Sequence, residues 1–216
     1  MKILVFNVRI TRIEIHLSVL LLFSYLFYQG WILKLHTWQI ITACLILLGS
    51  VLVHELAHVA AFSQLLGIRS QVLILAVGGA AIPLEREPAC RGWRFAMVAL
   101  AGPLANLLLA VLAVIVLVAS QDQVTFNLAL TSCLLNVVLG VLNLIPSRPF
   151  DGGHMFAMLL EELLGHPRLA DFFARTIGSL CGCLLMLASY YLRDPFMGLG
   201  ALASLWANSP LSSGRS

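Results

Sequence analysis

Charge is scarce in this sequence: 11% of its 216 residues are Asp, Glu, Lys or Arg, against 60% that are hydrophobic. Soluble domains carry roughly 25% charged and about 45–50% apolar residues, so a water-soluble globule is excluded. With a mean hydropathy of +0.96, the chain reads as an integral membrane protein. The net charge of +3 is then a topology signal and not the footprint of a nucleic-acid binder. Cysteine is also sparse. Cys44, Cys90, Cys133, Cys181 and Cys183 are odd in number and lie mostly in apolar runs, which argues against a disulfide framework. No small-residue cleavage site follows the first long apolar stretch, Ile13 to Leu33, and the stretch exceeds the roughly 7–15-residue core of a signal peptide. It is expected to stay as a span. No internal repeat, low-complexity run or long linker divides the chain, so residues 1–208 are expected to form one membrane domain, followed by a short polar tail at 209–216.

What is present is a series of apolar segments. Hydropathy predicts an all-α polytopic membrane protein with about six spans: Ile15 to Leu33, Trp38 to Leu66, Trp93 to Ala119, Val124 to Ile145, Phe172 to Leu192 and Pro195 to Trp206. The last is short enough to be tilted or partial. Tyr28, Trp31, Trp38, Trp93, Tyr190, Tyr191 and Trp206 mark segment ends as aromatic anchors. If both termini share one side, eleven of the 13 basic residues fall there and only Lys34 and Arg193 oppose them. By the positive-inside rule both termini are cytoplasmic. Between the second and third segments, Ser70 to Gly79 is too short to span as a helix, is rich in branched residues and ends in two glycines. It is expected to be a re-entrant β segment whose edge receives an unwound substrate, or else a plain re-entrant loop.

The second segment contains V-L-V-H-E-L-A-H-V-A, Val51 to Ala60. His54 and His58, four apart, share one helical face and suit a common Zn²⁺. Glu55, a quarter turn away, is placed to take a proton from an attacking water. At about 1.5 Å per residue His54 lies roughly 24 Å from the outer end of the segment and roughly 18 Å from the inner one. An ionisable triplet at that depth is costly unless paired, solvated or metal-linked, which makes it a functional site by default. A third ligand is needed. N-L-I-P-S-R-P-F-D-G-G-H-M-F, Asn143 to Phe156, breaks a membrane segment with two prolines and two glycines around Asp151. Irregular backbone at membrane depth lines a cavity, so Asp151 is the candidate, leaving one position open as in a catalytic zinc site. The alternative is that Asp151 caps the helix that follows.

These motifs resemble a known family. H-E-L-A-H at 54–58, G-G-A-A-I-P-L-E at 78–85, A-G-P-L-A-N at 101–106 and N-L-I-P-S-R-P-F-D-G-G at 143–153 occur in the order found in the site-2 protease family of intramembrane zinc metalloproteases. The resemblance implies that His54, His58 and Asp151 are zinc ligands and Glu55 the catalytic base. It implies that Asn143 holds the substrate backbone or the developing oxyanion, with Asn106 a further polar contact to substrate. Within the family the chain resembles the short branch without an inserted PDZ domain, which includes a sporulation protease that processes a pro-sigma factor and archaeal homologues; those relatives often carry a C-terminal CBS domain, which is not expected here. That branch implies a bacterial cell-membrane setting, a membrane-embedded or membrane-associated protein substrate and a regulatory membrane partner. Phe150 departs from the usual leucine. His154 departs from the usual basic residue, and is read as a titratable rim group and not as a fourth ligand. His16, His36 and His166 are read as membrane-edge or loop histidines. The small residues Ala99, Ala101, Gly102, Ala105 and Ala110 are read as packing contacts. Two other classes compete. A divalent-metal transporter should carry ionisable groups on several further spans, and a catalytically dead binder should lack a ligand or Glu55.

Overall fold

The computed structural model describes residues 2–8, 11–16, 19–67, 70–75, 78–83 and 93–209. Helices α1 (Val19–Ile32), α2 (Thr37–Ala61), α3 (Trp93–Ala119), α4 (Gln123–Asn143), α5 (Asp151–Leu164), α6 (Pro167–Leu192) and α7 (Pro195–Asn208) dominate. Strands β1 (Lys2–Val8), β2 (Thr11–His16), β3 (Ser70–Leu75) and β4 (Gly78–Pro83) complete the described elements. Four helices are long and apolar enough to cross a membrane: α2 with its continuation to Leu66, α3, α4 and α6. They coincide with four of the six expected segments, and the bounds of α3 are those read from the sequence. α1 and α7, the first and last of the six, have 14 residues each. At 1.5 Å per residue each rises about 21 Å, less than the roughly 30 Å of a hydrocarbon core.

The all-α expectation needs correction. β1 to β4 form a four-stranded sheet in that order: β1 and β2 antiparallel, β2 and β3 parallel, β3 and β4 antiparallel. Ile13 and Ile15, read as the start of the first span, belong to β2. There apolar residues alternate with Arg12, Glu14 and His16, which is the period of a strand and not of a helix. The expected β segment is real as a strand, but Gly78 and Gly79 do not end it. They open β4 and pair back onto Leu75 and Ile74. β3 is therefore paired on both sides, and β4 is a terminal strand of the sheet. Arg9, Arg69, Arg86, Arg91 and Arg215, on which the topology leans, lie outside the described residues, as do Glu85, Cys90 and residues 210–216. The four described cysteines are free thiols.

The chain forms two compact units, Met1–Pro88 with Ala101–Gly140 and Ala89–Leu100 with Val141–Ser216. In the first, α2 buries Ile40, Cys44, Leu47, Val51, His54 and His58, a stripe spaced three and four residues apart. Leu47 and Val51 pack with Phe23 and Leu26 of α1 and with Leu135 and Leu139 of α4. The last turn, Phe62–Leu66, is wound as a π-helix, and Gly67 at φ 69° stops it, a left-handed conformation that favours glycine. Asp122 precedes α4, and its side chain accepts a hydrogen bond from the Thr125 N–H at 2.9 Å. That backbone donor holds the Asp122 carboxyl below its ordinary range.

In the second unit, α6 and α7 meet through small residues, as membrane helices do without an apolar driving force between them. A Cβ at Gly182 would stand 2.9 Å from Ser204 Oγ, and one at Gly198 2.8 Å from Ser189 Oγ. The expected aromatic anchors are all exposed, Trp31 at 81% and Tyr190 at 79% most of all, as interface residues should be.

Candidate metal centre

The buried stripe of α2 places the two histidines. Continuing Ile40, Cys44, Leu47 and Val51, His54 and His58 face the interior of the first unit, each 5% exposed. Their rings meet edge to face with centroids 4.8 Å apart, and their Nε2 atoms are 3.1 Å apart. Two imidazoles on one tetrahedral zinc, at Zn–N of about 2.0–2.1 Å, hold their nitrogens about 3.3 Å apart. The pair as folded thus has the bite of a zinc site. Glu55 is 3% exposed, so the whole H-E-x-x-H triplet is withdrawn from the surroundings.

α3 supplies what stands opposite. A Cβ added to Gly102 would touch His58 Nε2 and stand 2.6 Å from His54 Nε2. The helix backbone comes this close to the two Nε2 atoms only because Gly102 has no side chain. Expected as a packing residue, Gly102 packs against the imidazoles themselves.

Asn106, one turn on, was expected to contact substrate, and the structure corrects this. It is 0% exposed, its Oδ1 lies 2.5 Å from His54 Nδ1, and its Nδ2 donates to Asn136 Oδ1 at 2.9 Å and to the Ser50 carbonyl at 3.4 Å. Both ends of the amide are committed to the protein, so Asn106 holds His54. Asn136 of α4 is a residue the sequence reading passed over, 1% exposed and hydrogen-bonded to Asn106. The available signal was a polar amide in the otherwise apolar run C-L-L-N-V-V.

In the second unit, Asp151 is the first residue of α5 and is half-buried. The N-cap is Phe150, extended at φ −73° and ψ 155°, and its carbonyl accepts from the Gly153 N–H at 3.0 Å. Asp151 therefore stands one residue inside the helix from the capping position. The two glycines after it admit the preceding loop. A Cβ at Gly152 would press on the Leu144 and Ile145 carbonyls, and one at Gly153 on the backbone of Ser147 and Arg148. That loop is clamped from α7: Asn208 Nδ2 donates to Ser147 Oγ at 3.0 Å and to the Arg148 carbonyl at 3.1 Å. Asn143 ends α4, half-buried, and His154 is exposed on α5 one turn beyond Asp151. His36 and His166 are exposed N-cap residues of α2 and α6, as expected for edge histidines. The side chain of His16 lies outside the described residues.

The model of peptidase family M50 matches residues 119–189. A zinc metalloprotease of Methanocaldococcus jannaschii is 30% identical over 151 residues, 66% of this chain and 41% of that protein. A candidate zinc metalloprotease of Synechocystis sp. is 31% identical over 158 residues, 71% of this chain and 39% of that protein. The chain thus spans about two fifths of the length of these curated relatives. Among solved structures, the site-2 protease from Methanocaldococcus jannaschii superposes with a TM-score of 0.70 at 22% identity, covering 100% of this chain and 96% of that one. At that identity the likeness speaks for the fold.

Proposed function

We propose that the chain is a member of peptidase family M50, of the site-2 protease type, and acts as an intramembrane zinc endopeptidase. The observation that carries the reading is the pair of buried Nε2 atoms 3.1 Å apart on a helix long enough to span, beside buried Glu55. His54 and His58 hold the metal, and Asp151 completes a donor set of two imidazoles and one carboxylate. Zinc, when bound, supplies Lewis acidity toward the scissile carbonyl and the attacking water. Glu55 accepts the proton of that water and returns it to the leaving amine nitrogen. Asn106 fixes the His54 ring, and Asn143 donates to the substrate backbone or the developing oxyanion.

The substrate is a transmembrane or membrane-associated protein cut near the cytoplasmic side, in regulated proteolysis such as the activation of a membrane-bound pro-sigma factor. All six apolar segments insert, α1 and α7 only in part, with both termini cytoplasmic. The residues form one functional domain. A helical substrate must be unwound before a peptide bond reaches the site, and its freed N–H and C=O groups need partners. β4, terminal in the sheet among the described residues, offers them.

Co-expression with candidate single-span regulators or a membrane-associated pro-sigma factor, comparing the intact protein with Glu55→Gln, tests the reading. Cleavage should vanish in the variant while zinc stays near one per chain. Equal cleavage by Glu55→Gln would end the mechanism.

A further inference from the structure

A neutral imidazole carries one N–H, and which nitrogen holds it decides which nitrogen can bind a metal. In the first unit that choice is traceable through four groups. The Ser132 carbonyl only accepts, so the end of Asn136 lying 2.9 Å from it is Nδ2, which donates. The other end, Oδ1, therefore faces Asn106 at 2.9 Å and must receive a proton from it. Asn106 accordingly turns its Nδ2 to Asn136 and to the Ser50 carbonyl, which leaves Oδ1 toward His54 Nδ1 at 2.5 Å. Oδ1 only accepts, so Nδ1 carries the hydrogen. The lone pair is then on Nε2, the atom facing His58 Nε2 and the Gly102 backbone.

We propose that Asn136 is a positioning residue, which through Asn106 locks His54 in the Nδ1–H tautomer and so presents Nε2 to the metal. The proposal rests on the metalloprotease reading for the identity of the metal but not for the tautomer. Asn136 touches neither metal nor substrate in this account. Its effect runs through the direction of the hydrogen-bond chain, which begins at a helix carbonyl and cannot rotate. Both amides are essentially fully buried, 0% and 1% exposed, so no water competes for the chain.

Asn136→Leu keeps the branched shape, with methyl groups where the amide oxygen and nitrogen stood, and removes the polarity. Asn106 is then held only by its 3.4 Å hydrogen bond to the Ser50 carbonyl, the weaker of its two, and can invert, offering Nδ2 to His54 and favouring the Nε2–H form. Asn136→Asp, protonated in this buried setting, restores the direction: its O–H donates to the Ser132 carbonyl and its second oxygen accepts from Asn106. Two readouts are needed. In zinc-free protein labelled with ¹⁵N-histidine, long-range ¹H–¹⁵N correlations, assigned with His54→Gln, report the His54 tautomer directly. Zinc affinity is measured by competition with a chelator. The wild type should show Nδ1–H at His54. Asn136→Leu should lose that preference and bind zinc about 10–100-fold more weakly, the usual cost of losing an outer-shell partner of a ligating histidine. Asn136→Asp should recover both. A wild-type spectrum with Nε2–H at His54 overturns the proposal whether or not the variants fold, and so does an Asn136→Leu protein with unchanged tautomer and affinity. A wild type that shows Nδ1–H yet takes up no zinc would defeat the metalloprotease reading and leave the tautomer lock standing.

Discussion

Replacing Gly102 with alanine adds one methyl group where two imidazole Nε2 atoms already stand. The new Cβ would touch His58 Nε2 and lie 2.6 Å from His54 Nε2 and 2.7 Å from its Cε1. That is about 0.8 Å short of the 3.4 Å at which ordinary contact begins. Metal–ligand distances tolerate about 0.2 Å, so the imidazoles cannot both clear the methyl and keep their bite. Overpacking of this kind costs about 1–3 kcal/mol, and, placed against the ligands, it should appear as about 5- to 150-fold weaker zinc binding. Gly49→Ala on α2 is the control: a Cβ there meets nothing within 4 Å. It should leave zinc unchanged and favour the helix by about 0.5–1 kcal/mol. The assay is chelator competition on detergent-purified protein, with thermal unfolding to show that both variants fold. If Gly102→Ala binds zinc as tightly as wild type, α3 does not stand against the ligand atoms and the account of the site is wrong.

Further outcomes follow from other parts of the molecule. His54→Ala and Asp151→Ala should each lose zinc as well as cleavage, and full metal occupancy in Asp151→Ala would remove it from the ligand set. Asn208→Ala removes the two hydrogen bonds its amide donates to Ser147 Oγ and the Arg148 carbonyl, and should lower stability by about 1–3 kcal/mol in thermal unfolding, at about 0.5–1.5 kcal/mol each. An unchanged melting temperature would show that the clamp on the loop contributes little. In a protein stripped of native cysteines, a cysteine at Gln121 should react with an impermeant reagent from outside and one at Glu87 should not. The reverse pattern inverts the topology. Proline placed singly at Gly79, Ala80, Ala81 and Ile82 should impair cleavage at alternate positions while zinc is retained, because only every second N–H of an edge strand points outward. Uniform tolerance would end the proposal that substrate adds to β4.

Local signals carried much of this protein. The spans were legible because a membrane helix is specified by an unbroken apolar run of sufficient length. α2 was expected from Trp38 and runs from Thr37, and α3 was placed at both ends. The histidine pair was legible for the same reason: four residues of separation on a helix bring two imidazoles together whatever else the chain does. The strand β2 was written in the alternation of Thr11 to His16, but an apolar run adjoining a span masked it. Its partners were not legible at all. β2 lies parallel to β3, more than fifty residues away in the chain, and nothing in either segment names the other. Three further roles waited on tertiary structure. Gly102 looked like any small packing residue until its helix was set against His54 and His58. Asn106 looked like a substrate contact until both ends of its amide were found engaged. Asn136 gained a role only when α4 brought it to Asn106 across thirty residues of chain. The sequence alone determined which chemical groups the protein possesses and which helices carry them, since those depend on neighbours a turn away. The three-dimensional fold decided which group faces which, since a hydrogen bond or a close contact between helices depends on atoms that the chain order keeps far apart.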